Sequence, residues 1–112
     1  MKPNNLFSDI PSNLPQELFT TLHQVKGLRV ERIVSQGHAS PPGFWYDQDE
    51  SEWVIVLQGS ATIQLVEDDS QPVELQPGAY LNIPAHVRHR VLATDPTEKT
   101  IWLAISYSDE RQ

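Results

Sequence analysis

The chain contains no cysteine. Disulfides, thiolate metal ligands and cysteine nucleophiles are therefore excluded, and any bound metal would need histidine, aspartate or glutamate ligands. Basic residues are also few, eight lysines and arginines against fifteen acidic residues, which gives a formal net charge of -7. Because nucleic acid and anionic membranes repel an acidic surface, neither is expected as a partner. Small molecules, metals and proteins remain as candidate partners.

The sequence also lacks a long apolar run, and its first thirteen residues carry a single lysine. Neither a membrane span nor a secretory signal is predicted, so a cytoplasmic location is expected. A length of 112 residues fits one domain with one core. Nine prolines against five glycines are typical of a turn-rich globular domain.

Apolar residues near the start of the chain recur at helical spacing, at Leu14, Leu18, Leu22 and Val25. They would share one face of a helix, and Gly27 could end it. The pattern predicts a helix over residues 14–26. Residues 1–26 would then form an N-terminal arm and helix that pack on a barrel formed by residues 27–112.

From Gly27 onward the spacing of apolar residues changes from helical to alternating. β-Branched and aromatic residues occur in seven short runs separated by turn residues: LRVERIV, EWVIVL, ATIQLVE, PVEL, AYLNIP, RHRVLAT and TIWLAISY. Seven strands at this spacing indicate an all-β barrel or sandwich.

One later segment has a specific residue spacing. Gly78 is followed by five residues, Pro84, one residue, His86, two residues and His89. This resembles the second motif of the cupin superfamily, which has glycine at the position of His86. The first cupin motif reads His-x-His, three or four residues, Glu, six residues, Gly, and Glu52 and Gly59 match its second half.

The first half of that motif departs from the family pattern. When four residues are counted between the second histidine and Glu52, Asp47 takes the place of the second histidine and Trp45 that of the first. The resemblance implies a small single-domain cupin: an antiparallel double-stranded β-helix, or jelly-roll barrel, here with a short N-terminal helix. It also implies a metal site at Asp47, Glu52 and His89, with His86 as a possible fourth ligand.

The residues themselves give a similar expectation for the pocket. Glu52 and His89 each open a predicted strand, and antiparallel strands of a small barrel can bring two inward side chains together. One imidazole and two carboxylates suit iron, manganese, nickel or zinc when water completes the coordination. No organic cofactor is expected. Trp45 and Tyr46, in the long loop 36–51, are candidates for contacts with a small-molecule ligand.

Simpler alternatives stay open for these residues. Glu52 could pair with Arg88 or Arg90, and His86 could lie in water at the barrel mouth.

Two functions are compatible with these residues. The first is a metal-dependent cupin that acts on a small polar molecule, its reaction type open. The second is a non-catalytic binding module with a degenerate metal site, since Trp45 cannot bind metal. A monomer or a homodimer is expected.

Overall fold

The computed structural model describes residues 1–66 and 71–108. Within them the chain forms eight strands: β1 Leu18–Val25, β2 Leu28–Ser35, β3 Ser51–Gln58, β4 Ala61–Leu65, β5 Val73–Leu75, β6 Tyr80–Ile83, β7 His89–Thr94 and β8 Thr100–Tyr107. No helix long and apolar enough to cross a membrane occurs in that part of the chain. The predicted all-β class is confirmed, and β2 to β8 correspond to the seven predicted strands.

The strands form two antiparallel sheets. One has five strands in the order β1-β2-β8-β3-β6, and the other has three in the order β5-β4-β7. Most neighbours within a sheet are distant in sequence, as in β2 with β8 and β4 with β7. This pairing of non-consecutive strands in two facing sheets is the double-stranded β-helix that the resemblance implied.

The predicted helix over residues 14–26 is wrong. Leu18–Val25 is strand β1, which pairs with β2 as a hairpin, and Gly27 (φ 80°) forms the turn. The apolar spacing was misleading because Leu22 is the extra residue of a β-bulge, which shifts the register between Thr21 and His23. The predicted division at residue 27 therefore falls inside a tight turn between paired strands.

The main core lies between the two sheets. It combines buried residues of both: Val54, Val56, Trp102 and Ala104 from the larger sheet, and Ala61, Ile63 and Leu75 from the smaller one. A second cluster of Leu14, Val34 and Ile101 lies under the N-terminal arm. The alternation within β3 and β8 places every second side chain in the core, as the period-two pattern predicts.

Arg32 attaches the N-terminal arm to the larger sheet. Its side chain is 6% exposed, and Nη1 donates hydrogen bonds to the carbonyl oxygens of Leu6 (3.0 Å) and Ser8 (2.7 Å). A buried guanidinium needs such acceptors, since it cannot lose its proton. The arm is therefore held to the larger sheet by hydrogen bonds from Arg32 to its backbone carbonyls, and within the described residues it contains no packed helix.

Gly59 is the glycine of the first motif, and the fold explains why it is needed. It is buried in the turn between β3 and β4 with φ at +81°. A Cβ atom there would lie 2.7 Å from Cα of Thr100 and 2.9 Å from the carbonyl oxygen of Lys99. Both neighbours are backbone atoms, so they cannot move away without disturbing β8.

We expect Gly59→Ala to destabilise the fold by more than about 2 kcal/mol, because a left-handed backbone cost of about 1–2 kcal/mol is added to the steric clash. Gly78→Ala is the matched control. Gly78 also has a positive φ (+93°), but a Cβ there would meet nothing within 4 Å. Urea unfolding of both variants measures the difference in their free energies of unfolding. Equal losses of stability would show that the clash at Gly59 has no effect.

Candidate functional site

A cavity of about 90 Å³ lies between the two sheets. Its polar lining comes from Glu17, Arg29, Glu31, Tyr46, Gln48, Glu52 and His89, and its apolar lining from Phe19, Ile33, Val54, Ile63, Ile83, Val91 and Trp102. An apolar cavity with a few convergent polar groups is typical of a small-molecule site.

The alternation of side chains along the strands directs these groups into the cavity. On β2, Arg29 and Glu31 share the inward face with Ile33, and on β3 Glu52 shares it with Val54. His89 begins β7 in the facing sheet. The cavity therefore lies where charged residues occupy inward positions at the strand ends.

Glu52 and His89 meet across this cavity. Oε1 of Glu52 lies 3.7 Å from Nε2 of His89, and the two side chains are 15% and 6% exposed. Nδ1 of His89 lies 3.0 Å from the carbonyl oxygen of Val87 and donates to it, which fixes the ring. The structure thus brings together two of the predicted site residues, and Glu52 pairs with His89 rather than with Arg88 or Arg90.

The surroundings of His89 have opposing effects on its proton affinity. Burial alone lowers the pKa of His89, but Glu52 and the Val87 carbonyl outweigh it and raise the pKa above the ordinary 6.5. At 3.7 Å the contact with Glu52 is an ion pair rather than a short hydrogen bond. Both neighbours therefore favour the protonated form of the imidazole.

Tyr46 covers this pair. Its backbone N–H donates to the carbonyl of His89 (2.7 Å) and its carbonyl accepts from His89 N–H (3.1 Å), so the loop adds a single bridge to β7. The two rings are stacked, with centroids 5.3 Å apart. Burial, with the charges of Glu17 and Glu52, raises the pKa of the Tyr46 hydroxyl, which stays a neutral hydrogen-bond donor.

The loop before β3 presents Tyr46 and Gln48 to the cavity. Three residues separate Gln48 from Glu52, so the three-residue version of the first motif describes the inward positions. Trp45 and Asp47 are not among the residues that line the cavity. The count of four residues places Asp47 at the motif position, so Gln48 is not among the predicted site residues. The alternation of Tyr46 with Gln48 indicates it only once Tyr46 is known to face inward.

Asp47 lies with His86 in a separate, exposed pair. Oδ1 of Asp47 is 3.0 Å from Nδ1 of His86, and the side chains are 51% and 64% exposed. His86 has a positive φ of 66°, the conformation that the glycine of the family motif adopts easily. The four predicted metal residues therefore form two pairs. Within the described residues, no group of three or more histidines and carboxylates could hold a metal ion.

Trp45 packs against two arginines instead of facing the cavity. The guanidinium carbons of Arg88 and Arg90 lie 5.7 and 5.8 Å from its ring centroid. Cation–π contacts of this kind stabilise the loop against β7.

Three further charged residues of the cavity were not predicted: Glu17, Arg29 and Glu31. The alternation in LRVERIV already placed Arg29 and Glu31 on one face with Ile33. Nothing in the sequence showed that this face was the inner one. Glu17 lies within the predicted helix, so the pattern predicts no inward strand position for it.

We expect Glu52→Gln to lower the pKa of His89 below its wild-type value, because the carboxylate that raises this pKa is removed while the burial that lowers it remains. Titration of the imidazole protons by NMR measures this, and His89→Gln assigns the signal. His23→Gln, an exposed site on β1, is the matched control. A His89 pKa that does not respond to Glu52→Gln would contradict the ion pair.

The same variant has an expected effect on stability. A raised folded pKa stabilises the protein below the unfolded value of about 6.5, and this contribution is lost as pH rises through the folded pKa. Glu52→Gln should therefore cost more stability near pH 6 than well above the folded pKa. Denaturant unfolding at both pH values measures the difference.

Comparisons with known proteins agree with this fold. A family model described as Cupin domain matches residues 31–106. A Ralstonia eutropha JMP134 protein, provisionally named a mannose-6-phosphate isomerase, is 51% identical with a TM-score of 0.91, over 96% of this chain and 99% of that one. No curated protein sequence matches the chain.

More distant structures share the fold alone. A cupin superfamily protein from Desulfitobacterium hafniense DCB-2 is 23% identical with a TM-score of 0.71, over 89% of this chain and 84% of that one. A conserved protein of unknown function from Streptococcus pyogenes is 21% identical with a TM-score of 0.74, over 98% and 90%. With a family model over most of its length and a half-identical relative, this chain belongs to the cupin superfamily.

Proposed function

We propose that this cupin binds a small polar molecule in the cavity through protein groups alone. The observation that carries the proposal is the contact of the partly buried Glu52 with the buried His89 at a cavity with apolar walls. Buried charged groups are costly unless they are paired or used, and these two also adjoin open space. Tyr46 and Gln48 add a neutral donor and an amide to the same space.

The donor set supports binding without a metal. The cavity offers one imidazole and one carboxylate in contact, from His89 and Glu52, while Asp47 and His86 pair elsewhere. Of the other two carboxylates in the lining, Glu31 is paired with Arg29 and Glu17 accepts from Ser35. The amide of Gln48 and the neutral hydroxyl of Tyr46 are weak ligands for transition metals. This set does not fit a transition-metal site, which usually has three or four protein ligands.

We therefore expect the purified protein, incubated with iron, manganese, nickel or zinc and then dialysed, to retain well under one metal per chain. Mass spectrometry of the wild type and of His89→Ala measures the content. Stoichiometric metal that is lost in His89→Ala would restore the metal-dependent alternative, with Glu52 and His89 as its ligands. His86→Ala is the control for adventitious binding at the surface pair.

A second candidate is an enzyme that works by proton transfer. It is favoured by the paired His89 and Glu52, an imidazole and a carboxylate in contact, with the pKa of His89 raised above its ordinary value. The name of the Ralstonia relative, a mannose-6-phosphate isomerase, is consistent with such chemistry. Turnover of mannose 6-phosphate that is lost in Glu52→Gln would favour this candidate over simple binding.

Binding is tested with three small probes: glycerol, 3-amino-1,2-propanediol and glycerate. We expect at least one to shift the backbone NMR signals of the cavity residues saturably. Tyr46→Phe and His89→Ala should weaken the response, because each removes a polar group of the cavity. His23→Ala, on exposed β1, should leave it unchanged. No saturable shift for any probe would contradict the proposed function.

A further inference from the structure

Carboxylates outnumber cations in the lining of the cavity. Glu17, Glu31 and Glu52 face two cationic groups, Arg29 and His89, of which the imidazole is charged only when protonated. The sign of the charge that a ligand meets depends on how these groups are paired.

Both cations are already paired with carboxylates. Nη2 of Arg29 lies 3.3 Å from Oε1 of Glu50, and its Nε lies 3.6 Å from Oε1 of Glu31. His89 is paired with Glu52. An anionic ligand would have to compete with these carboxylates for either cation, and would be repelled by them.

Glu17 differs from the other two carboxylates. Its Oε2 accepts a hydrogen bond from Oγ of the fully buried Ser35 at 2.5 Å, and Ser35 in turn accepts one from Nε1 of Trp102 at 3.2 Å. The Ser35 hydroxyl, itself fixed by Trp102, is a neutral donor that holds the carboxylate in place. In residues 1–66 and 71–108 it has no ion pair with a lysine, arginine or histidine. Its negative charge is therefore not balanced locally.

The charge of Glu17 acts inside the cavity. After burial, it is the largest of the influences that raise the pKa of the Tyr46 hydroxyl, ahead of Glu52. The rings of Phe19, Tyr46 and Trp102 line the same space, and aromatic faces attract cations. A cation in the cavity would thus meet both an unbalanced carboxylate and aromatic rings.

The imidazole of His89 also faces the cavity. His89 is 5% exposed, and its only hydrogen bond among the described residues is from Nδ1 to Val87. Nε2, 3.7 Å from Glu52, is beyond hydrogen-bond distance of that carboxylate. It has capacity left for a hydroxyl group of a ligand.

We propose that the cavity selects small amines that carry hydroxyl groups, with the ammonium group at Glu17 and a hydroxyl group at His89, over ligands that carry phosphate or carboxylate. This proposal rests on the proposed function, because it names the ligand class of the same cavity. It also predicts that a phosphorylated sugar binds poorly.

The test compares molecules of the same carbon skeleton: 3-amino-1,2-propanediol, glycerol, glycerate and glycerol 3-phosphate. NMR titration of wild-type protein gives a dissociation constant for each. We expect the amine to bind at least about tenfold more tightly than either anion, with glycerol between them. The affinity of the amine should fall at high salt, while that of glycerol should not.

Glu17→Gln tests whether Glu17 binds the ammonium group. It keeps the size of the side chain but removes the charge, so the preference for the amine over glycerol should disappear while glycerol still binds. Glu74→Gln, an exposed carboxylate on β5, is the matched control and should leave the preference unchanged. Should Glu17→Gln fail to fold, the salt dependence in the wild-type protein still decides between the outcomes.

The possible results are distinguishable. Equal or tighter binding of glycerate or glycerol 3-phosphate overturns the proposed selectivity and leaves small-molecule binding intact. Binding of the amine that is insensitive to both salt and Glu17→Gln also overturns it. No saturable response to any of the four probes overturns the proposed function as well.

Discussion

The site depends on one constraint: a partly buried carboxylate and a buried imidazole meet from opposite sheets, and a charge withdrawn from water is costly unless it is paired. Glu52 enters from the five-stranded sheet and His89 from the three-stranded one. Their pairing joins the sheets at a point where apolar side chains do not fill the interior. The loop carrying Tyr46 then closes over His89 through two backbone hydrogen bonds and a stacked ring.

The Asp47–His86 pair links the loop before β3 to the position at which the family motif has glycine. His86 replaces a glycine and still has a positive φ, which costs a non-glycine residue about 1–3 kcal/mol. Two contacts offset this cost: the hydrogen bond between the His86 ring and Asp47 at 3.0 Å and the one from His86 N–H to the carbonyl of Gln48 at 2.8 Å. Both contacts tie the loop to the turn before β7. They thus hold Gln48 over the cavity from outside.

The sequence predicted the strands well, because alternation in runs such as EWVIVL reflects a local physical requirement for burial on one face. It failed at β1, where the bulge at Leu22 breaks the alternation and imitates helical spacing. The Glu52–His89 pair was predictable, since both residues open strands of a recognisable motif. The loop register was not, because a shift of one residue exchanges Tyr46 and Gln48 for Trp45 and Asp47.

The charge state of the cavity follows from its donor set. In a metal site, a carboxylate and an imidazole both give lone pairs to the same cation. Here Glu52 and His89 have too few partners for that, and their contact instead favours the protonated form of His89, whose pKa is raised. Glu17 has no such ion pair among the described residues, and its one donor, the neutral Ser35 hydroxyl, leaves its charge in place. The negative charge of Glu17 is the one that a bound ligand would have to balance, and it therefore favours an ammonium group over a phosphate.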